Sequence, residues 1–240
     1  MLDDKIIIVV MPAYNAERTL ERTFTEIPKD VVDRIILTDD ASADGTVALA
    51  QRLGITTLRH DRNFGYGANQ KTCYRAALDA GADVIVMLHP DYQYSPSLIP
   101  RMVALVASGA HDVVLGSRMQ GGDAMLRGMP AYKYLGNRLL TAFQNRCLGQ
   151  SLTEYHTGYR AFSRPVLEAL PWQTFSDGFL FDNEMLVHAI GAGFGVGEVP
   201  CPARYEPDSS SIGLCRSVEY GLGVLRLSWR HRRTPENRQR

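Results

Sequence analysis

The feature that most limits the possible folds is an alternation of short apolar runs with longer helical patterns in the first half of the chain. Strand-like runs lie at residues 5–11, 33–38, 55–58, 83–88 and 112–116. Helical patterns lie between them, near residues 17–26, 44–53, 67–80 and 97–108. Repeated β-α units predict an α/β fold with a mostly parallel sheet. Residues 6–10 are all apolar, which is typical of a strand covered by helices on both faces.

After residue 118 the alternation stops. Glycines at 121–122 and 128 predict a loop. Further helical patterns lie near residues 132–148, 180–190 and 214–229, and a strand is expected near 195–199. Because no repeat or linker separates these elements, we expect one domain over residues 1–231, followed by a basic tail at 232–240.

The last helical pattern has one apolar side, formed by Val218, Leu222, Leu225 and Trp229. Such a stripe fits either packing against a core or lying on a membrane surface. The stripe is narrow, which favours core packing.

Charge and cysteine content exclude several classes of protein. The 26 basic residues balance 26 acidic ones, which argues against a general polyanion binder. The four cysteines have no paired or metal-ligand spacing, which predicts reduced thiols in a cytoplasmic protein. The apolar run after Lys5 is too short for a secretory signal, and no window reaches the ~20 apolar residues of a membrane span.

The segment TDDASADGT at 38–46 follows an apolar run and places Asp39 and Asp40 at the end of a predicted strand. The carboxyl ends of strands are where open α/β sheets bind ligands. Ser42 and Asp44 are equally well explained as caps of the next helix.

The fourth strand ends in the sequence HPDYQ. Asp91 and Gln93 offer oxygen and His89 offers an imidazole nitrogen, so a divalent ion that bridges a diphosphate is one interpretation. Manganese accepts imidazole more readily than magnesium does. A surface turn set by Pro90 is the alternative.

Several of these segments resemble motifs of glycosyltransferase family 2, in the order that the family has them. Residues 5–15 resemble its opening strand and P-x-Y-N turn, and TDDASADGT resembles its V-D-D-G-S-x-D-G-T motif. Further resemblances are RNFGYGANQ at 62–70, GSR at 116–118 and TGYRAF at 157–162. In HPDYQ, His89 replaces the first aspartate of the family's D-x-D. At 201–213 the lysine of the R-x-x-G-x-S-K loop is absent.

The resemblance implies a GT-A fold, with a nucleotide-binding half at residues 1–118 and an acceptor half at 119–231. It implies that the donor is bound by Pro12, Tyr14, Asp39, Asp40, Asn69, Arg160 and Arg204. In the family, the second aspartate of the pair meets the base, which favours Asp40 over Asp39. Gly65 and Gly67 are expected to have a structural role, since glycine permits close backbone approach.

The implied reaction is inverting transfer from a nucleoside-diphosphate sugar such as a UDP- or GDP-sugar, with a divalent metal, Mn²⁺ or Mg²⁺. Arg118 would assist the leaving group, and Asp182, or less favourably Glu184, would be the general base. The resemblance is closest to polyprenyl-phosphate sugar transferases without their transmembrane region. A polyprenyl phosphate acceptor implies peripheral contact with the inner face of a membrane. A soluble glycan, metabolite or protein acceptor is the alternative, as is a degenerate nucleotide-sugar-binding scaffold.

Overall fold

The computed structural model describes residues 5–121, 124–126, 128–202 and 213–232. The strands of its sheet are β1 (Ile7–Ala13), β2 (Arg34–Asp39), β3 (Thr56–Arg59), β4 (Val84–Met87), β5 (Val113–Ser117), β6 (Arg160–Ser163) and β7 (Val196–Pro200). Their order across the sheet is β3-β2-β1-β4-β6-β5-β7. Strand β6 is antiparallel to β4 and β5, and the other neighbours are parallel. The prediction of a mostly parallel sheet is therefore confirmed.

Helices cover both faces of this sheet. They are α1 (Glu17–Glu26), α2 (Thr46–Arg52), α3 (Tyr66–Asp79), α4 (Ile99–Ala107), α5 (Ala131–Leu148), α6 (Arg164–Ala169), α7 (Phe181–Gly191) and α8 (Leu214–Arg230). Every residue of β1 and β4 is buried, as their unbroken apolar runs predict. One core lies beneath α3 and α7, around Tyr74 and Phe181, and the other beneath α1 and α4, around Leu20 and Met102.

The parallel strands bring four loops to one edge of the sheet. In the register of β1 and β2, Ala13 lies opposite Asp39, at the last position of each strand. Strands β4 and β5 end at the same edge, because both run in the direction of β1. The segments after β1, β2, β4 and β5, which contain the family-like motifs, therefore lie close together.

Helix α8 differs from the sequence expectation. Its buried side chains include Val224 and Ser228, whereas Val218, Leu222 and Trp229 are 58%, 51% and 57% exposed. The expectation that this stripe packs in the core is wrong, because α8 contacts α5 and α7 through its other sides. In the described segments, no helix has the length and hydropathy to cross a bilayer.

Candidate active site

Side-chain hydrogen bonds join the loops after β1 and β2. Three backbone N–H groups at the start of α1 donate to the second loop: Asn15 to Ser42 Oγ (2.8 Å), Ala16 to Thr46 Oγ1 (2.8 Å) and Glu17 to Asp44 Oδ2 (3.2 Å). Asp44 Oδ1 also accepts the N–H of Thr46, the first residue of α2, at 3.0 Å, so Asp44 caps α2 from the position before the N-cap residue Gly45. Ser42 does not cap α2, since its Oγ accepts from the start of α1. Amides at a helix start are otherwise open to an anion. Here side chains pair them, and Ser42 and Asp44 hold the two loops together.

The backbone at this edge is strained. Within the described segments, the non-glycine residues with positive φ are Asn15 (52°), Ala41 (59°) and Tyr92 (57°). They follow β1, β2 and β4 respectively. Such conformations cost about 1–2 kcal/mol and tend to occur at functional sites. The strain and the polar motifs occur in the same loops.

The two adjacent aspartates after β2 have different surroundings. Asp40 Oδ1 lies 2.7 Å from His60 Nδ1 and accepts the N–H of Phe64 at 2.9 Å, and its Oδ2 accepts the N–H of Gly65 at 3.0 Å. Both oxygens of Asp40 therefore hold the segment before α3. This does not fit the expectation that Asp40 rather than Asp39 meets the base.

Asp39 has one carboxylate oxygen without a hydrogen-bond partner among the described residues. Its Oδ2 accepts the N–H of Ser42 at 2.9 Å, but its Oδ1 is buried and has no hydrogen-bond partner in the described part of the chain. Asn69 is similar: its Nδ2 donates to the carbonyl of Ala13 at 3.2 Å, and its Oδ1 is buried without a partner among the residues that the structure describes. Ala13 is also the residue opposite Asp39 in the sheet. Two unpaired acceptors thus lie beside the end of β1, where a ligand with N–H or O–H donors would satisfy them.

A small pocket lies between the β1 turn and the loop after β4. It is lined by Pro12, Tyr14, Asn15, Ala16, Thr19, His89, Pro90 and Asp91. The structure thus brings Tyr14 together with Asp91, as expected. Asp91 Oδ1 accepts the N–H of Gln93 at 3.0 Å, and Gln93 is buried. No three His, Cys, Asp or Glu side chains of the described segments form a group that could hold a metal by themselves.

Behind this pocket, a hydrogen-bonded chain connects His89 to Asp182. The hydroxyl of Tyr66 donates to Asp182 Oδ2 at 2.6 Å and lies 3.0 Å from Nε2 of His89. Burial and the Asp182 carboxylate raise the pKa of Tyr66, so the hydroxyl keeps its proton. Because that proton is given to Asp182, Nε2 of His89 is the donor to Tyr66.

Gly158 is required for this arrangement. A Cβ at this position would lie 2.7 Å from His89 Nε2 and 3.1 Å from the Tyr66 hydroxyl. Asp182 receives a second hydrogen bond, from Gln70 Nε2 at 3.0 Å, and its side chain is buried. The TGYR segment, α3 and α7 therefore converge on the imidazole that replaces the first aspartate of D-x-D.

Arg118, after β5, is held by a buried glutamate. Its backbone N–H donates to Glu154 Oε2 at 2.7 Å, and its Nε donates to Oε1 at 2.9 Å. A second guanidinium nitrogen contacts the same Oε1 and donates to the carbonyl of His156 at 2.9 Å. Burial alone would raise the pKa of Glu154, but the charge and hydrogen bonds of Arg118 lower it below its usual value. The ion pair with Glu154 thus fixes the position of Arg118 after β5.

Comparison with known proteins identifies the family. The sequence model that represents the family "Glycosyl transferase family 2" matches residues 8–170 of this chain. The chain belongs to glycosyltransferase family 2. It is 27% identical to the UDP-N-acetylglucosamine--dolichyl-phosphate N-acetylglucosaminyltransferase of Methanococcus voltae, covering 88% of this chain and 90% of the relative. It is 28% identical to the polyprenol monophosphomannose synthase of Mycolicibacterium smegmatis, covering 80% of this chain and 75% of the relative.

The solved structures confirm the fold. Glucosyl-3-phosphoglycerate synthase of M. tuberculosis superposes with a TM-score of 0.72 at 21% identity, over 98% of this chain and 83% of that chain. The expected GT-A arrangement, a mostly parallel sheet flanked by helices, is therefore confirmed, and the chain is a glycosyltransferase of EC class 2.4.

Other predicted residues of this glycosyltransferase lie away from the pocket. The guanidinium of Arg160 is fully buried and donates to the backbone carbonyls of Thr157, Tyr155 and Asp182. The carboxylate of Glu184 accepts the N–H of Ser176 at 2.7 Å. Both contacts position backbone, and neither residue lines the pocket. Arg204 lies outside the described residues.

Sequence reasoning missed Tyr66 and Glu154, whose side chains contact the predicted residues His89, Asp182 and Arg118. Tyr66 lies between the two glycines of RNFGYGANQ, and Glu154 precedes the TGYR segment, so both were adjacent to recognised motifs. The two glycines are structural, as predicted. A Cβ on Gly67 would lie 2.4 Å from the carbonyl of Ser176, and one on Gly65 would lie 2.8 Å from that of Asp177.

Proposed function

We propose that this glycosyltransferase moves a sugar, with inversion, from a nucleoside-diphosphate sugar to a polyprenyl phosphate. The observation that supports binding of the nucleotide sugar is a pair of buried oxygens beside Ala13, Asp39 Oδ1 and Asn69 Oδ1, which have no partner among the described residues. Buried acceptors without partners are rare because each costs about 1–3 kcal/mol. A ring N–H of a base and a ribose hydroxyl supply the missing donors.

With the nucleoside at Asp39, its diphosphate would extend along the edge toward the pocket of Tyr14, His89 and Asp91. Asp91 and Gln93 supply the oxygen ligands that suit a divalent ion bridging a diphosphate, which needs only one or two protein ligands. Structures of glucosyl-3-phosphoglycerate synthase, the fold relative, contain Mn²⁺ or Mg²⁺ with UDP. Bound here, such an ion would neutralise charge on the leaving diphosphate.

The acceptor half of the proposal draws on the relatives. Two enzymes with similar sequences are named for transfer to dolichyl phosphate or for polyprenol monophosphomannose synthesis. An acceptor phosphate is already ionised near neutral pH, so its oxygen attacks the anomeric carbon without a general base. Asp182 would then orient Tyr66 and His89. For a hydroxyl acceptor, Asp182 would take the proton instead.

The first experiment is thermal unfolding with UDP, GDP, TDP or CDP, each with and without Mn²⁺. A ligand that binds only the folded state stabilises it by about 2.7 kcal/mol at 100 times its Kd. We expect one nucleotide to raise Tm in a Mn²⁺-dependent way, and Asp91→Asn to lose the Mn²⁺ dependence. If no nucleotide shifts Tm, the donor assignment is wrong.

The second experiment is a transfer assay with the donor so identified. A short-chain polyprenyl phosphate is compared with the matching polyprenol and with soluble sugar acceptors. Transfer to the phosphate alone supports the proposal. Transfer to a hydroxyl acceptor, abolished by Asp182→Asn, would replace it with the alternative of a soluble acceptor.

A further inference from the structure

We propose that α5 and α8 together form a docking surface for an anionic lipid bilayer. Twelve large hydrophobic side chains are exposed in the described part of the chain, and eight of them lie on these helices or in residues 124–126. Those on the helices are Tyr132, Leu135, Leu139, Val218, Leu222 and Trp229, each between 51% and 63% exposed. Leu126, just before α5, is 90% exposed. Clustering of this kind marks an interaction site.

The exposed residues form one stripe on each helix. Positions 132, 135 and 139 lie at helical spacing on α5, and positions 218, 222 and 229 do so on α8. The two helices pack against each other, with Leu140 of α5 lying against Gly221 of α8. Polar residues such as Asn137 and Gln144 turn to the buried side of α5 instead. The two apolar stripes are therefore carried by two helices that pack directly against each other.

Charge identifies the partner. Helix α5 contains three basic residues and no acidic one, and α8 contains three basic residues and only Glu219. These helices thus carry six basic residues against one acidic residue, although the whole chain has a net charge of zero. A second copy docking through the same face would bring two positive surfaces together. An anionic bilayer attracts the basic residues and receives the apolar ones, as for interfacial amphipathic helices.

The surface is connected to the active site. Asn137 of α5 donates to Glu154 at 2.8 Å, and Glu154 holds Arg118. The hydroxyl of Tyr220 on α8 lies 2.8 Å from Nδ1 of His156, whose carbonyl accepts from Arg118. Docking on a bilayer would therefore bring the Arg118 side of the site to the headgroup region. This consequence rests on the proposed polyprenyl phosphate acceptor, whereas the docking itself does not.

The test is flotation of the whole protein with vesicles of phosphatidylcholine alone or with an equal part of phosphatidylglycerol, without nucleotide or polyprenyl phosphate. We expect binding to the anionic vesicles only, and weaker binding as salt rises. The variant Leu135→Ser/Leu139→Ser/Leu222→Ser should bind roughly tenfold more weakly, since it removes exposed apolar area. Leu58→Ser, an exposed leucine on β3 at the far edge of the sheet, is the matched control and should bind as wild type does.

Absence of wild-type binding to anionic vesicles overturns the proposal, as does equal binding by the triple variant and wild type. A dimer in light scattering that the triple variant converts to a monomer would also overturn it, because a second copy would then cover the face. The triple variant should retain the nucleotide-induced rise in Tm. If wild type binds vesicles but transfers no sugar to a polyprenyl phosphate, the acceptor proposal fails and the docking surface stands.

Discussion

Replacing Arg118 by methionine tests whether the arginine after β5 is held by Glu154. The Glu154 side chain is fully buried, and the side chain of Arg118 is 14% exposed. Methionine keeps much of the volume but removes the charge, which leaves a buried carboxylate without its cation. Loss of one partner of a buried ion pair costs about 3–5 kcal/mol. For a chain of this size, each kcal/mol lowers Tm by about 2–4 °C, so we expect a loss on the order of 10 °C.

The assay is thermal and urea unfolding of four proteins at neutral pH. The double variant Arg118→Met/Glu154→Gln should recover much of the lost stability, because no unpaired charge remains. Arg101→Met, at an exposed position of α4, is the matched control and should stay within about 0.5 kcal/mol of wild type.

The pH dependence has a definite sign. The pKa of Glu154 is lowered in the folded protein, so its stabilising effect is present above the ordinary value of 4.5 and is lost as the pH falls through the folded-state pKa. The difference in the free energy of unfolding between wild type and Arg118→Met should therefore become smaller as the pH falls below 4.5. If Arg118→Met unfolds like wild type at neutral pH yet transfers no sugar, the guanidinium serves the ligand and our account of the ion pair is refuted.

Three further outcomes are expected. Gly158→Ala should place a methyl group against His89 and reduce kcat/KM by roughly tenfold or more in transfer assays, while Tm falls by only a few degrees. Asp39→Asn should abolish the nucleotide-induced rise in Tm, whereas Asp40→Asn should lower Tm itself and keep the rise; the reverse pattern would favour Asp40 as the base contact. Burial lowers the pKa of His156 from its usual value of 6.5 to about 4. Between these two pH values, His156 is protonated in the unfolded chain but not in the folded protein. Stability should therefore fall by up to about 3 kcal/mol across this window as the pH decreases, and urea unfolding of His156→Gln should show a flatter profile.

The positions of most elements could be predicted because the signals that define them are local. The helix expected at 132–148 is observed at Ala131–Leu148, and the strand expected at 195–199 is observed at Val196–Pro200. Gly54 and Gly81, which follow α2 and α3, have φ of 72° and 84°, a conformation that glycine adopts easily. The orientation of α8 could not be predicted in this way. Its sequence has apolar residues on two sides, Val224 inside and Val218 outside, and periodicity does not tell which side meets the core.

The candidate site was harder to predict because its important distinctions depend on distant partners. Asp39 and Asp40 are neighbours of the same type, and both match the motif. Only the contacts of Asp40 with His60 and Gly65, which lie 20 and 25 residues away, show that its oxygens are already used. The partner of Arg118 is 36 residues away.

A motif therefore locates the edge of the sheet but does not separate the residues that bind a ligand from those that build its surroundings. In this structure, burial and hydrogen bonding distinguish the residues whose acceptors are already occupied from those whose acceptors are not. At this edge, Ser42, Asp44 and Asp40 have their acceptors filled by backbone N–H groups of neighbouring loops. Asp39 Oδ1 and Asn69 Oδ1 remain buried and unpaired among the described residues. In the function proposed above, the donor nucleoside would supply N–H and O–H groups to these two oxygens, which are otherwise costly to bury.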